Sequence, residues 1–96
     1  MEQYYEMLDE KILRACEMVD TTKKSDFERI KNLDELLADI AEGYRGIEYY
    51  NEEMERLGFL LLEKIEKQNL SMFLVNYQEV TEKIFQNEDN SVCYGD

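Results

Sequence analysis

Acidic side chains recur at helical spacing in the middle of this sequence, and they are the residues whose chemistry could give the protein a function. Glu35, Asp39 and Glu42 are separated by four and three residues. Because an α-helix turns once per ~3.6 residues, these three carboxylates lie on one face of a helix. Carboxylates in such a row can bind a metal ion, transfer protons or attract a basic surface.

The metal and catalytic uses of these acids need other residues that the chain lacks. Di-iron helical bundles combine their glutamates with Glu-x-x-His motifs, and this sequence contains no His. His is also the usual general base in enzymes and the commonest ligand of transition metals. Gly-rich phosphate loops, Gly-x-Ser-x-Gly motifs and Cys–His pairs are absent from the sequence as well. We therefore expect no enzyme activity, no cofactor and no metal site.

The composition favours binding to a protein over binding to nucleic acid or to a membrane. Among 96 residues, 23 acids outweigh 11 bases and give a formal net charge of −12. Nucleic-acid phosphates and anionic lipids both attract basic surfaces, so direct binding to either is disfavoured. An acidic surface suits a partner with a basic surface, or it serves solubility alone.

The same residues predict a cytoplasmic protein. No apolar run approaches the ~20 residues of a membrane span, and the acidic N-terminus lacks the pattern of a signal peptide. Cys16 and Cys93 have neither a metal-type spacing nor the look of a disulfide framework, which fits a reducing compartment. Cys16 lies beside an apolar stripe, and we expect it to be a small buried residue with a free thiol.

The acidic row belongs to a long stretch, Asp26–Asn69, whose apolar residues keep one helical phase. Ser25 and Glu28 form a capping box that begins this helix. The apolar positions are Ile30, Leu33, Leu37, Ile40, Tyr44, Ile47, Met54, Leu61 and Ile65.

Gly43 and Gly46 leave two interpretations of this stretch open. The chain could form one helix of about 44 residues, bent or straight, or it could turn at the glycines and give four helices of similar length. The apolar phase passes through Tyr44 and Ile47 without a slip, and the segment Gly43–Gly46 contains no Asp, Asn, Ser or Thr where a new N-cap would lie. Both observations favour the continuous helix.

Shorter helices are predicted on each side of the central one. The first runs from about Glu2 to Asp20. After Asn69 in the left-handed C′ position, Ser71 caps the last helix, which runs to about Gln86.

The predicted fold class is therefore all-α. It is a small helical bundle built on a long central helix, kinked or straight at its glycines, with a shorter helix on each side. Every apolar row has a helical period, and the chain contains no Pro. Residues 1–86 are expected to form a single helical domain, and residues 87–96 a polar, mobile tail.

Tyrosines supply the other unusual feature of the central stretch. Tyr44 falls in the apolar stripe and is expected in the core. Tyr49 and Tyr50 are adjacent and cannot face the same way, so at least one is expected to be exposed. Tyr is enriched at interfaces because it combines a large rigid contact area with a polar tip.

The first functional hypothesis is an inhibitor that binds a basic, nucleic-acid-binding protein. Carboxylates spaced along a helix can imitate the charges of a nucleic-acid backbone and occupy a phosphate-binding groove. In size, acidity and lack of catalytic motifs, the chain resembles the small anti-defence proteins of bacteriophages, such as anti-CRISPR and anti-restriction inhibitors. The expected partner-binding residues are Glu35, Asp39, Glu42, Glu48, Tyr49, Tyr50, Glu52 and Glu53.

The alternative hypothesis is a helical assembly or chaperone-like adaptor that pairs with itself or with a partner helix. At this level of composition the chain is also similar to small secretion and flagellar chaperones. A homodimer is expected because two short helices cannot cover a long central helix on all apolar sides. Gly43 and Gly46 would then allow a second copy to approach closely. An exposed apolar surface would favour the adaptor, and an exposed row of carboxylates would favour the inhibitor.

Overall fold

The fold is a bundle of α-helices. The structure, a computed structural model, describes residues 7–45 and 52–94, and the side chains of 7–45 and 52–87. Within these ranges it contains no β-strand, which confirms the prediction of an all-α fold. The elements are α1 (Leu8–Thr21), α2 (Phe27–Arg45), α3 (Glu52–Lys67), a 3-10 turn (Ser71–Phe73) and α4 (Tyr77–Tyr94).

The helices pack around one hydrophobic core, with α1 and α4 each lying against both α2 and α3. At the start of α1, Leu8 lies against Gly43 near the end of α2, so these two helices run antiparallel. The ends of α1 and α3 meet where Lys64 Nζ donates to Asp20 Oδ1 at 3.0 Å, so α1 and α3 run parallel. The largest fully buried side chains are Tyr44, Ile12, Leu33, Leu37, Ile40, Leu61, Ile65, Leu70, Ile84, Val19 and Val80.

Two hydrogen bonds fix α4 alongside α2. The backbone N–H of Asn76 donates to Asp34 Oδ1 at 2.8 Å, just before α4 begins. One side-chain N–H of Asn87 donates to the carbonyl of Tyr44 at 3.1 Å, three turns further along α4. Asp34 precedes Tyr44 on α2, and their partners Asn76 and Asn87 follow in the same order along the chain. The two helices α2 and α4 therefore run parallel.

The single long central helix is not confirmed, because α2 and α3 are separate helices. The Tyr44 hydroxyl donates to the carbonyl of Met54 at 2.9 Å. Ten residues of straight α-helix span ~15 Å, which is further than a tyrosine side chain reaches. The alternative with four helices of similar length therefore describes the bundle. Residues 46–51, including Gly46, lie outside the described residues.

The start of α2 lies where the polar break predicted it, but a different residue caps it. Asp26 Oδ1 accepts a hydrogen bond from the backbone N–H of Arg29 at 3.2 Å. This is the bond of an N-cap side chain to the N3 position, so Asp26 takes the role predicted for Ser25. The carboxylate also lies at the positive end of the helix dipole, which favours it over a hydroxyl at this position.

The connection between α3 and α4 is partly as predicted. Asn69 has a φ of 56°, the left-handed conformation expected at C′ after α3. Ser71 does not cap an α-helix, because a 3-10 turn intervenes and α4 begins only at Tyr77. At its other end α4 continues to Tyr94, past the predicted end at Gln86, so most of the predicted tail is helical. The mobility of that segment stays a prediction.

Two glycines allow close contacts inside the bundle. A Cβ atom on Gly58 would lie 2.6 Å from the Tyr44 hydroxyl oxygen, and one on Gly43 would lie 2.8 Å from Cδ1 of Leu8. The space beside Gly43 is therefore filled by a residue of the same chain. Gly43 therefore allows α1 and α2 of one chain to pack closely, and the approach of a second copy at the glycines stays a prediction.

Cys16 is buried with a free thiol, as the apolar stripe predicted. Burial raises the pKa of this thiol, the nearby Lys64 opposes the rise, and Asp20 and Glu17 add to it. A raised pKa keeps the thiol protonated and unreactive at neutral pH. The side chain of Cys93 lies outside the described set. No helix in the described part of the chain is long and apolar enough to span a membrane.

Candidate protein-binding site

A groove on the surface between α1 and α2 contains two of the predicted binding residues. It is a shallow, open depression of about 250 Å³. We call it the acidic groove. It is lined by Arg14, Met18, Asn32, Glu35, Leu36 and Asp39.

Helical periodicity explains how these residues meet. Arg14 and Met18 are four residues apart and form one wall on α1. On α2, Asn32, Glu35 and Asp39 follow at three and four residues and form the facing wall. Antiparallel packing of the two helices then brings the walls together, so the groove depends on the register between α1 and α2.

The floor and rim of the groove differ in polarity. Leu36 is buried and Met18 is half-buried, and together they provide an apolar floor. Glu35 and Asp39 are exposed, and neither forms a salt bridge or side-chain hydrogen bond with another described residue. Their carboxylates therefore remain available to a ligand.

This arrangement can hold a long cationic side chain. Lys and Arg carry an apolar stem and a charged head, so the stem can cover Met18 and Leu36 while the head reaches the carboxylates. An Arg head can also bond a carboxylate with two parallel hydrogen bonds. Across the described residues, no group of three or more His, Cys, Asp or Glu side chains is arranged to hold a metal ion.

The other predicted acids lie elsewhere on the surface. Glu42 is one turn beyond Asp39 on α2, is exposed, and pairs with Arg45 at 3.5 Å. Glu52 and Glu53 are exposed in the first turn of α3, where Glu53 pairs with Arg56 at 2.9 Å.

The structure therefore brings Glu35 and Asp39 together in the groove, with Glu42 on the same helix face. It leaves Glu52 and Glu53 on another helix. Glu48, Tyr49 and Tyr50 lie outside the described residues, so their role stays a prediction.

Sequence reasoning missed the residues that shape the groove. Arg14, Met18, Asn32 and Leu36 are not among the predicted binding residues. Their spacing is visible in the sequence, since Arg14 and Met18 share one face of α1 as Asn32 and Leu36 share one of α2. The pairing of the two faces is not visible, because it depends on how α1 packs on α2.

Comparisons of this chain with protein-family models, with curated proteins and with solved structures find no match.

Proposed function

We propose that this chain is a small acidic protein-binding module that inhibits a basic, nucleic-acid-binding partner. The observation that supports it is that Glu35 and Asp39, which have no ion-pair partner among the described residues, lie on the rim of an open groove with an apolar floor. Acids that serve only solubility need no adjoining concave apolar surface.

The apolar floor matters because exposed charges alone give fast association and specificity more than affinity. Affinity comes from side chains that lose water in a pocket at the centre of an interface, and Arg is among the commonest of them. A partner Arg over Leu36 and Met18 would combine both effects at one place. Glu42 extends the acidic row beyond the groove and would contribute mainly to steering.

A partner that uses basic side chains to hold nucleic acid presents the chemistry that this groove fits. Such a partner binds phosphates with Lys and Arg side chains, and an acidic protein competes for the same side chains. In its most specific form, the proposal is that this chain is an inhibitor of the phage anti-defence type, which it resembles in composition.

The test is affinity capture from the source cell followed by identification of the partner and a competition assay. We expect a partner that binds DNA or RNA, and we expect added nucleic acid to release it from the immobilised chain. Binding should also weaken with salt, because screening limits exposed charges to a reach of ~8 Å at physiological ionic strength. A partner that binds nucleic acid and this chain simultaneously would contradict the proposal.

A second candidate function, a helical adaptor that pairs with itself, is favoured by a different observation. Several large apolar side chains are exposed at the end of the bundle that holds the connection between α3 and α4. Met72 is 91 % exposed and Val75 is 85 % exposed. These side chains have no role in the acidic groove.

A further inference from the structure

One end of the bundle carries four exposed apolar side chains, which we call the tip surface. Phe27 is 75 % exposed and Phe73 is 44 % exposed, and they accompany Met72 and Val75. Single exposed apolar residues are ordinary, but a group of them marks an interaction site.

Phe27 belongs to α2, whereas the other three residues of the tip surface belong to the connection before α4. They lie at the same end of the bundle because α2 is hydrogen-bonded to this connection. Asp34 accepts a hydrogen bond from the backbone of Asn76, the residue that follows Val75. Phe27 is two turns before Asp34, so it lies on the same face of α2 about 10 Å further toward the start of the helix.

The charge of this end differs from that of the rest of the chain. Residues 21–31 and 67–78 contain five bases and two acids, a net charge of +3 in a chain of −12. Two copies of so acidic a protein repel each other over most of their surface. At this end few acids contribute and the net charge is small, so two copies repel each other less here than over the acidic remainder of the surface.

The charged groups around the tip surface also suit pairing with themselves. Lys23, Lys24 and Lys31 form no salt bridge with a described residue, and neither do Glu28 and Glu79. In a two-fold interface the same patch of each copy faces the other. A Lys of one copy can then pair with a Glu of the second copy.

We propose that the tip surface binds a second copy of this chain in a two-fold dimer. Phe side chains have ~150–250 Å² of surface each, of which Phe27 and Phe73 expose part; with the almost fully exposed Met72 and Val75, roughly 500 Å² is open per copy. Two copies would bury about 1,000 Å², which is the size of a weak, transient interface, so we expect a reversible dimer. The dimer rests on the self-pairing candidate function and does not use the acidic groove.

Sedimentation equilibrium from about 1 to 500 µM tests this proposal. We expect the parent chain to change reversibly from monomer to dimer over this range. The double variant Met72→Glu, Val75→Glu should raise the dimer Kd by at least ~100-fold, because it places charges where apolar side chains lose water. Both residues are exposed, and circular dichroism would verify that the variant is folded.

The matched control is Met7→Glu, Leu13→Glu, which adds the same charge at two exposed apolar positions, one just before α1 and one within it. This control should dimerise like the parent, as should Glu35→Lys in the acidic groove. The milder variant Met72→Ser, Val75→Ser should also weaken the dimer without adding charge.

Either of two results would overturn the proposal. A parent chain that stays monomeric at 500 µM would show that a second copy does not cover the tip surface. A dimer that survives both tip variants would place the interface elsewhere, whatever the α1 control does. Loss of partner binding with an intact dimer would bear only on the acidic groove, so the two proposals can fail separately.

Discussion

Helix α2 presents acidic side chains to two different surroundings. On the side facing α4, Asp34 accepts a hydrogen bond from Asn76, and Asn76 Nδ2 also donates to the Asp34 carbonyl at 3.2 Å. On the side facing α1, Glu35 and Asp39 border an open groove without a partner among the described residues. Asp34 and Glu35 are neighbours in sequence, but helical rotation points them to different helices. A carboxylate therefore stabilises the bundle on one side and remains free for binding on the other.

The largest effect on stability is expected where α2 meets the other helices, at Tyr44 and Gly58. Gly58→Ala would place a Cβ atom 2.6 Å from the Tyr44 hydroxyl, so we expect it to destabilise the fold by about 2 kcal/mol. In the Tyr44→Phe background this hydroxyl is absent, and the cost of Gly58→Ala should fall by at least ~1 kcal/mol. Urea unfolding of the four variants measures this coupling.

Equal costs of Gly58→Ala in the two backgrounds would show that the hydroxyl does not limit the approach of α3 to α2. The contact with Ile84, whose Cδ1 would lie 3.1 Å from the new Cβ, would then be the dominant one.

A smaller effect should separate the two acids that are neighbours on α2. Asp34→Ala removes the acceptor for the backbone of Asn76 and should cost about 1–2 kcal/mol. Glu35→Ala, the matched control, should change the free energy of unfolding by less than ~0.5 kcal/mol, because Glu35 is exposed and unpaired. Thermal or urea unfolding compares the two, and a similar cost for both would remove the distinction between the two sides of α2.

The last effect concerns Glu66, a partnered acid on α3, and it appears only at high pH. Glu66 Oε2 accepts a hydrogen bond from the Tyr77 hydroxyl at 2.8 Å. Burial, with help from Glu66, raises the pKa of Tyr77 from 10.0 to about 12. Below pH 10 the Tyr77 phenol is protonated in the folded and in the unfolded chain. Between pH 10 and 12 it ionises mainly in the unfolded chain, where its pKa is not raised. The stability of the parent relative to Tyr77→Phe should therefore fall as pH rises through this window.

Urea unfolding at several pH values measures that difference, since other groups titrate alike in both proteins. A difference that stays constant from pH 9 to 12 would mean that Tyr77 ionises equally easily in both states.

Local patterns predicted the local structure well. The stripe through Ile30, Leu37 and Tyr44 is buried, and Asn69 adopts the predicted left-handed conformation. These features follow from spacing and from the properties of single residues. The separation of α2 from α3 did not follow, because the apolar phase continues through Gly43 and is the same for one helix or two.

Features that depend on contacts between helices were not predictable in this way. The hydrogen bond between Asn76 and Asp34 depends on α4 packing beside α2, and no spacing within α2 predicts it. The acidic groove likewise needs the register of α1 against α2, which no spacing within one helix encodes. Glu35 and Asp39 were predicted for their charge, whereas the apolar floor beneath them appeared only in the structure.

The most direct test of the acidic groove is the affinity of the captured partner for two charge-reversal variants. Glu35→Lys, Asp39→Lys changes the groove, and Glu63→Lys, Glu82→Lys changes the net charge equally at exposed acids on α3 and α4. With folding verified by circular dichroism, we expect the groove variant to raise the Kd by at least ~30-fold, about 2 kcal/mol. The control variant should raise the Kd less than ~3-fold, because it weakens only the long-range attraction between the two proteins. Equal losses in the two variants would contradict the proposal, because they would mean that the partner responds to net charge and not to the groove.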